Sequence, residues 1–244
     1  MEALWSQEIW IAMGMSFLAG IIRGFSGFGA AMTQAPVLAI LFSAPQAVAT
    51  MAGLGVLASL QMQPMVLKDV KFREILPIIL TALAGIPLGA TVLLLLEPEL
   101  MRRCISAMVL LMVLVLMTGW RYPGKPGITG AVLTGGLSGL INGSTGVGGP
   151  PVVLFLLAGP NPAVVNRANM ITFYTFINGF TFISLAWLGI VAPETLWRIA
   201  LLLPAQVASL FLGNRLFQRA TDAIYRRMAY GVLLAIALFG LAYP

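Results

Sequence analysis

The sequence contains no histidine, one cysteine and only eight acidic residues among 244 positions. A single cysteine (Cys104) excludes a disulfide within the chain, and no aspartate or glutamate lies deep inside an apolar run. Proton-driven pumps use buried carboxylates or histidines, and enzymes need an acid–base pair or a cluster of metal ligands. These absences argue against a proton relay, catalysis, a bound metal and a cofactor.

Charge of either sign is also scarce, since 9% of the residues are charged, 59% are hydrophobic and the mean hydropathy is +0.96. An ordinary soluble domain is about 25% charged. A membrane helix needs about 20 apolar residues, and the uncharged runs are long enough for seven or eight membrane elements. The sequence therefore predicts an all-α polytopic protein in a lipid bilayer. Its net charge of +6 rests on few residues and gives no reason to expect a nucleic-acid partner.

Glycine, by contrast, is abundant and patterned. Residues 19–30 and 138–149 align without a gap at an offset of 119 residues. The glycines that coincide are Gly20 and Gly139, Gly24 and Gly143, Gly27 and Gly146, and Gly29 and Gly148. Because each interior glycine costs a helix roughly 1 kcal/mol relative to alanine, the two stretches predict breaks in two membrane helices. Paired interruptions of this kind indicate the binding site of a transporter.

A second register supports an internal duplication, because Gly89 and Arg102–Arg103 match Gly213 and Arg226–Arg227 at an offset of 124 residues. We expect two repeats that join near the loop 121–127. Repeat 1 (1–122) should contain a broken, re-entrant hairpin at 5–42 and three transmembrane helices at 46–67, 75–96 and 100–120. Repeat 2 (123–244) should contain a re-entrant hairpin at 127–158 and helices at 163–189, 196–216 and 224–243.

The distribution of basic residues favours hairpins that return to their own side. If each broken segment crossed the membrane, the basic residues would divide six against seven between the two faces. If each segment dips in and returns, they divide ten against three, which obeys the positive-inside rule. Three full spans per repeat also invert the second repeat against the first. We therefore expect two inverted repeats, both termini outside, and hairpin tips that meet near the bilayer midplane.

The glycine breaks are also the predicted binding site. A helix that starts at a break directs unpaired N–H groups and the positive end of its dipole into the break, and this suits an anion. Arg23 is a charge inside a membrane segment, and its guanidinium matches planar oxyanions. The residues expected to contact the anion are Arg23, Gly24, Ser26, Gly27, Phe28, Gly29, Ala30, Gln34, Asn142, Gly143, Ser144, Thr145, Gly146, Val147, Gly148 and Gly149.

The same residues also allow less specific interpretations. Glycines permit close helix packing without any ligand, and Arg23 could extend from the end of the first helix to the membrane surface. Asn178 and Gln206 lie deep enough to line a path, or they hydrogen-bond between helices. Arg167 and Asn214 are expected near a membrane interface.

The breaks also carry a family resemblance. The segments Gly27-Phe28-Gly29-Ala30 and Gly146-Val147-Gly148-Gly149, with the prolines that follow them, are similar to the duplicated glycine-rich signature of the TauE/SafE family of permeases. That family is described as sulfite exporter-like, and the resemblance covers nearly the whole chain. The first copy departs from the usual triple glycine at Ala30 and Ala31, and the second has Pro150 at the third place. The resemblance implies a bacterial inner-membrane carrier of a small anion.

The sequence leaves several functions to be compared. The favoured one is a secondary transporter of sulfite, a sulfonate or a related organosulfur or organic anion. A non-transporting scaffold or accessory subunit would use the glycines only for packing, and an anion channel would have a continuous pore. A membrane enzyme is disfavoured because the polar residues offer no acid–base pair. The oligomeric state is open, and a homo-oligomer is compatible with the sequence.

Overall fold

The computed structural model describes residues 7–97 and 127–221, together with the isolated positions 100, 103, 107, 111, 114 and 224. Within these residues the chain forms helices and no strand, so the predicted all-α class is confirmed. The helices are α1 (Gln7–Ser26), α2 (Ala30–Leu41), α3 (Ala44–Val66), α4 (Phe72–Leu95), α5 (Ile128–Thr145), α6 (Gly149–Ala158), α7 (Ala163–Trp187) and α8 (Pro193–Gln218). The helices predicted at 100–120 and 224–243 lie outside the continuously described ranges.

Five of these helices, α1, α3, α4, α7 and α8, are long and apolar enough to cross a membrane. The two short helices, α2 and α6, each follow one of the glycine stretches. Large apolar side chains such as Leu95 and Trp187 lie exposed on the outside of the bundle. An apolar outer surface of this kind fits a chain surrounded by lipid rather than by water.

The antiparallel pair α3 and α7 forms the centre of the bundle. Gln63 donates a hydrogen bond to Thr172, 2.9 Å away, near the end of α3. Further back along α3, a Cβ atom at Gly55 would lie 2.5 Å from the amide nitrogen of Asn178. Because earlier residues of α3 contact later residues of α7, the two helices run in opposite directions.

Glycines bring α1 and α8 into backbone contact beside this central pair. A Cβ atom at Gly20 would lie 2.6 Å from the carbonyl oxygen of Gln206, and one at Gly24 would lie 2.4 Å from that of Leu210. No larger residue fits at either position without moving the backbone, as in other close-packed membrane helices. The two helices run parallel, since later residues of α1 contact later residues of α8.

The same contact recurs between α5 and α4. A Cβ atom at Gly139 would lie 2.0 Å from the carbonyl oxygen of Ala82, and one at Gly143 would lie 2.2 Å from that of Ile86. Each of these residues has an equivalent in the α1–α8 contact. Gly139 and Gly143 correspond to Gly20 and Gly24 at the offset of 119 residues, and Ala82 and Ile86 correspond to Gln206 and Leu210 at the offset of 124 residues. The two registers in the sequence thus correspond to two equivalent helix contacts.

A further pair of equivalent contacts lies at the two ends of the bundle. The amide nitrogen of Asn161 donates to Glu74 over 2.6 Å, and the guanidinium carbon of Arg198 lies 4.1 Å from the ring centroid of Phe42. The offsets of 119 and 124 relate Phe42 to Asn161 and Glu74 to Arg198. The end of α6 therefore lies beside the start of α4, and the end of α2 lies beside the start of α8.

The glycine contacts predict a sharp difference between two neighbouring substitutions in α5. Gly139→Ala places a methyl group against the Ala82 carbonyl, whereas a Cβ atom at Gly136 meets nothing within 4 Å. We expect Gly139→Ala to lower the stability by about 1–3 kcal/mol through overpacking, and Gly136→Ala to leave it unchanged or slightly raised. Thermal unfolding of both variants in detergent measures this, and equal melting temperatures would contradict the described packing.

Candidate functional site

The first break interrupts the chain between α1 and α2. Gly27 and Gly29 have φ angles of 82° and 87°, a conformation that residues with a Cβ atom rarely adopt. The hydroxyl oxygen of Ser26 accepts a hydrogen bond from the Phe28 N–H over 3.2 Å and lies 2.8 Å from the carbonyl oxygen of Ile22. Ser26 therefore satisfies backbone groups that the break would otherwise leave unpaired.

The second break has the same construction. Gly146 has a φ angle of 74°, and the hydroxyl oxygen of Thr145 accepts a hydrogen bond from the Val147 N–H over 3.2 Å. The next N–H, that of Gly148, donates to the side-chain oxygen of Asn142 over 3.2 Å. The Ser138 hydroxyl also donates to the carbonyl of Gly148. The chain therefore folds back along α5 directly after the break.

The short helices that follow the breaks differ in the hydrogen-bond donors at their starts. The N–H of Thr33 is the first in α2 to bond back along the chain, to the Gly29 carbonyl at 3.1 Å. The backbone N–H groups of residues 30–32 precede that bond and have no acceptor within their own helix. In α6 the corresponding positions include Pro150 and Pro151, which have no N–H. The first break is therefore followed by more backbone N–H donors without a helical acceptor than the second.

Arg23 is buried in the interior beside the first break, with 3% of its surface exposed. One guanidinium nitrogen donates to the Gly55 carbonyl over 3.2 Å and to the Ser59 hydroxyl on α3. Its Nε atom has no hydrogen-bond partner among the described residues. Each of these acceptors is neutral, so the positive charge of Arg23 is left without a carboxylate partner in the described ranges.

Tyr174, on α7, joins this cluster to the second break. The Arg23 guanidinium carbon lies 5.2 Å from the centroid of the Tyr174 ring, within the range of a cation–π contact. A Cβ atom at Gly149 would lie 1.4 Å from the Tyr174 hydroxyl oxygen, so only glycine fits there. The repeat places Ala30 at the position equivalent to Gly149. This additional glycine was the only sequence signal of a bulky neighbour, and the prediction did not include Tyr174.

The two breaks lie toward opposite ends of the central helix pair. A Cβ atom at Gly27 would lie 3.0 Å from the Arg167 side chain, near the start of α7. One at Gly146 would lie 3.0 Å from the side chain of Met51, near the start of α3. Because α3 and α7 are antiparallel, the hairpins pass each other, and Tyr174 contacts elements from both.

The remaining predicted residues form hydrogen bonds within the bundle. Asn142 donates to the Thr181 hydroxyl over 2.9 Å, and Gln34 donates to Gln206 over 3.4 Å. The hydroxyl groups of Ser144 and Thr145 lie within hydrogen-bond distance of carbonyl groups in their own helix. Asn178 packs against Gly55, whose carbonyl accepts from Arg23.

Arg167, which was expected near an interface, is buried against the first break. Its guanidinium donates to the Gly24 carbonyl over 2.6 Å and to the side chain of Asn214 over 2.8 Å. Its guanidinium carbon also lies 4.3 Å from the ring centroid of Phe217. The site thus has two buried arginines, Arg23 on α1 and Arg167 on α7. In the part of the chain that the structure describes, no group of three or more acidic, histidine or cysteine side chains could hold a metal ion.

Comparison with known proteins adds a family match. The family described as "Sulfite exporter TauE/SafE" matches residues 12–240. A curated relative, the "Probable sulfite/organosulfonate exporter TauE" of Cupriavidus necator, is 30% identical over 104 residues. That alignment covers 43% of this chain and 41% of the relative. No solved structure matches the chain.

The hydrogen bonds of Asn142 predict a role in stability. Asn142→Ala leaves the Gly148 N–H and the Thr181 hydroxyl without their partner, whereas Thr181→Val removes only one of these bonds. Since an unsatisfied buried polar group costs about 1–3 kcal/mol, we expect the larger fall in melting temperature for Asn142→Ala. A fall no larger than that of Thr181→Val, measured in the same detergent, would contradict the role of Asn142 at the second break.

Proposed function

Because the chain belongs to the sulfite exporter TauE/SafE family, we propose that it is a secondary transporter of a small anion. The substrate class is sulfite, a sulfonate or a related organosulfur or organic anion. The name of the Cupriavidus necator relative, a sulfite/organosulfonate exporter, supports this choice. The bundle would lie in a bacterial inner membrane, with lipid around it, as a monomer or homo-oligomer.

The burial of Arg23 among neutral partners is the observation that carries this proposal. A charged side chain within a membrane segment is expensive and usually functional. The hydrogen bonds from Arg23 to Gly55 and Ser59 give acceptors to one of its guanidinium nitrogens, but both acceptors are neutral and do not compensate its positive charge. An oxyanion beside Arg23 would supply the missing charge and accept a charge-assisted hydrogen bond. The unpartnered Nε atom provides a further donor for that anion.

We place the anion near the middle of the bundle, between the two glycine breaks. Tyr174 would lie on one side of it, and the first N–H groups of α2, which have no acceptor within their own helix, would contribute further donors. Ser26, Thr145 and Asn142 would shape this site by holding the breaks in place. The remaining predicted residues around the breaks, with Gln34 and Gln206, would line its walls, and Asn178 would lie on the path that leads to it.

We further propose two inverted repeats with re-entrant hairpins and both termini outside. The equivalent α1–α8 and α5–α4 contacts support the repeats, and the antiparallel arrangement of α3 and α7 supports the inversion. For the first hairpin, α1 runs parallel to α8 while α2 ends beside the start of α8. A hairpin that begins and ends at the same face accounts for both contacts.

A scaffold in which the glycines only pack helices would also have the close backbone contacts. It gives no reason, however, for a buried arginine without a carboxylate partner in the described ranges. An anion channel is distinguished from a carrier by its kinetics, because a channel shows no acceleration of uptake by substrate on the opposite side.

Transport by reconstituted protein tests the proposed site. We expect counterflow of labelled sulfite or methanesulfonate in proteoliposomes, and a loss of roughly 10- to 100-fold in Arg23→Ala, because hydrogen bonds to charged groups contribute about 1.5–3 kcal/mol. Arg73→Gln, at an exposed position in the first turn of α4, serves as the control. Wild-type rates in Arg23→Ala would contradict the site, and no transport of any small anion by the native chain would contradict the function.

Cysteine labelling tests the re-entrant arrangement. In a Cys104→Ser background, single cysteines replace Glu8 at the start of α1, Ser43 after α2, and Asp69 after α3. A re-entrant hairpin leaves positions 8 and 43 open to an impermeant reagent on the same face and position 69 on the other. Labelling of positions 8 and 43 from opposite faces would show that the first hairpin crosses the membrane.

A further inference from the structure

Along α7, a neutral polar side chain recurs at every third residue. The members of this series are Asn166, Asn169, Thr172, Thr175, Asn178 and Thr181. We call these residues, with Gln63 and Ser59 of α3, the polar track. Residues three positions apart are neighbours on the surface of a helix, but each step of three moves the position slightly around the helix axis. The members of the series therefore contact different partners along the length of α7.

The first part of the track lies next to the loop between α3 and α4, which carries Lys68 and Lys71 and is followed by Arg73 at the start of α4. The side-chain oxygen of Asn169 accepts a hydrogen bond from the backbone N–H of Lys71 over 2.9 Å. The amide nitrogen of Asn166 donates to the Asn161 carbonyl over 3.2 Å. One end of the track is therefore at the basic end of the bundle.

From this end the track leads to the partners of Arg23. Gln63 donates to Thr172 over 2.9 Å and accepts from Thr175 over 3.1 Å. One helical turn before Gln63 is Ser59, whose hydroxyl accepts a hydrogen bond from Arg23. The polar contacts thus continue from the basic loop to the proposed anion site, through side chains that are all neutral.

Two atoms of the track lack partners. The side-chain oxygen of Asn166 and the side-chain nitrogen of Asn169 have no hydrogen-bond partner among the described residues, although the two side chains are only 1% and 0% exposed. Buried polar groups are nearly always satisfied, and water or a solute commonly supplies the missing bond. These two atoms point to water or an anion within this part of the bundle.

Toward the other end of the central pair, α3 and α7 also contact large apolar side chains. A Cβ atom at Gly53 would meet Ile199 and Phe182, and Leu185 and Leu202 are fully buried. In the sequence of α7, Phe182 and Leu185 follow Thr181, the last member of the track.

We propose that the polar track is the route by which the anion moves between the Arg23 site and the basic face, and that Gln63 is a positioning residue on this route. The inference rests on the proposed anion transport. Neutral amide and hydroxyl groups replace part of the hydration shell of an anion without trapping it, whereas a charged group would bind it too tightly for rapid passage.

Labelling with an anionic thiol reagent tests the route. In the Cys104→Ser background, we expect sulfonatoethyl methanethiosulfonate, applied from the basic face, to modify Gln63→Cys at least tenfold faster than two control cysteines. The controls are Leu60→Cys, exposed on the outside of the same helix, and Val48→Cys, buried near its other end. Methanesulfonate should slow the reaction at position 63. Rates at position 63 equal to those of the controls would overturn the proposal.

Transport by two glutamine variants separates the route from the site. We expect Gln63→Leu to lower methanesulfonate counterflow at least tenfold, whereas Gln61→Leu, which faces Leu210 and Asn214 on α8, retains it. Gln63→Asn, which keeps the amide, should recover part of the loss. If the native chain transports the anion and Gln63→Leu does so equally well, the route is wrong while the proposed function stands. If the native chain transports no small anion, the result contradicts the proposed function itself, and with it the route.

Discussion

A helix that stops within a membrane leaves backbone N–H and C=O groups where lipid cannot satisfy them, and this chain meets that constraint twice. At each break a glycine adopts a left-handed conformation. A neighbouring hydroxyl, that of Ser26 or Thr145, accepts a hydrogen bond from the backbone N–H two residues further along the chain. These hydroxyls pair part of the backbone that each break exposes, while the N–H groups at the start of α2 have no acceptor within their own helix. The remaining features of the site lie around these two breaks. They include the buried Arg23 and the close packing of α1 against α8 and of α5 against α4.

Close backbone packing holds the broken helices in place. Because lipid is as apolar as the helix surface, association in a membrane relies on van der Waals contact and hydrogen bonds. Glycines supply that contact on both sides of the bundle, at α1–α8 and at α5–α4. The site itself is less symmetric than this framework. Arg23 of the first repeat corresponds to Asn142 of the second, and the donors at residues 30–32 correspond in part to prolines.

Local patterns were sufficient to predict the all-α class and the two breaks. Hydropathy indicated a chain of long apolar helices, of which the structure describes five, and the density of glycine indicated the interruptions at residues 27–29 and 146–148. The partners of Arg23 could not be predicted in this way, since Gly55, Ser59 and Tyr174 come from helices distant in sequence. The hydrogen bonds of Asn142 within the fold also depend on such long-range contacts. The absence of donors at Pro150 and Pro151, by contrast, was visible in the sequence and argues for unequal breaks.

The central claim is that an oxyanion binds beside Arg23 in the middle of the bundle. Its most direct test is a crystal structure of the protein soaked with selenite, a heavier analogue of sulfite whose position anomalous scattering reveals. The account predicts a selenium peak with its oxygens within hydrogen-bond distance of the Arg23 guanidinium, about 2.7–3.2 Å. A well-ordered structure at saturating selenite with no peak there, and with Arg23 still bonded only to Gly55 and Ser59, would contradict it.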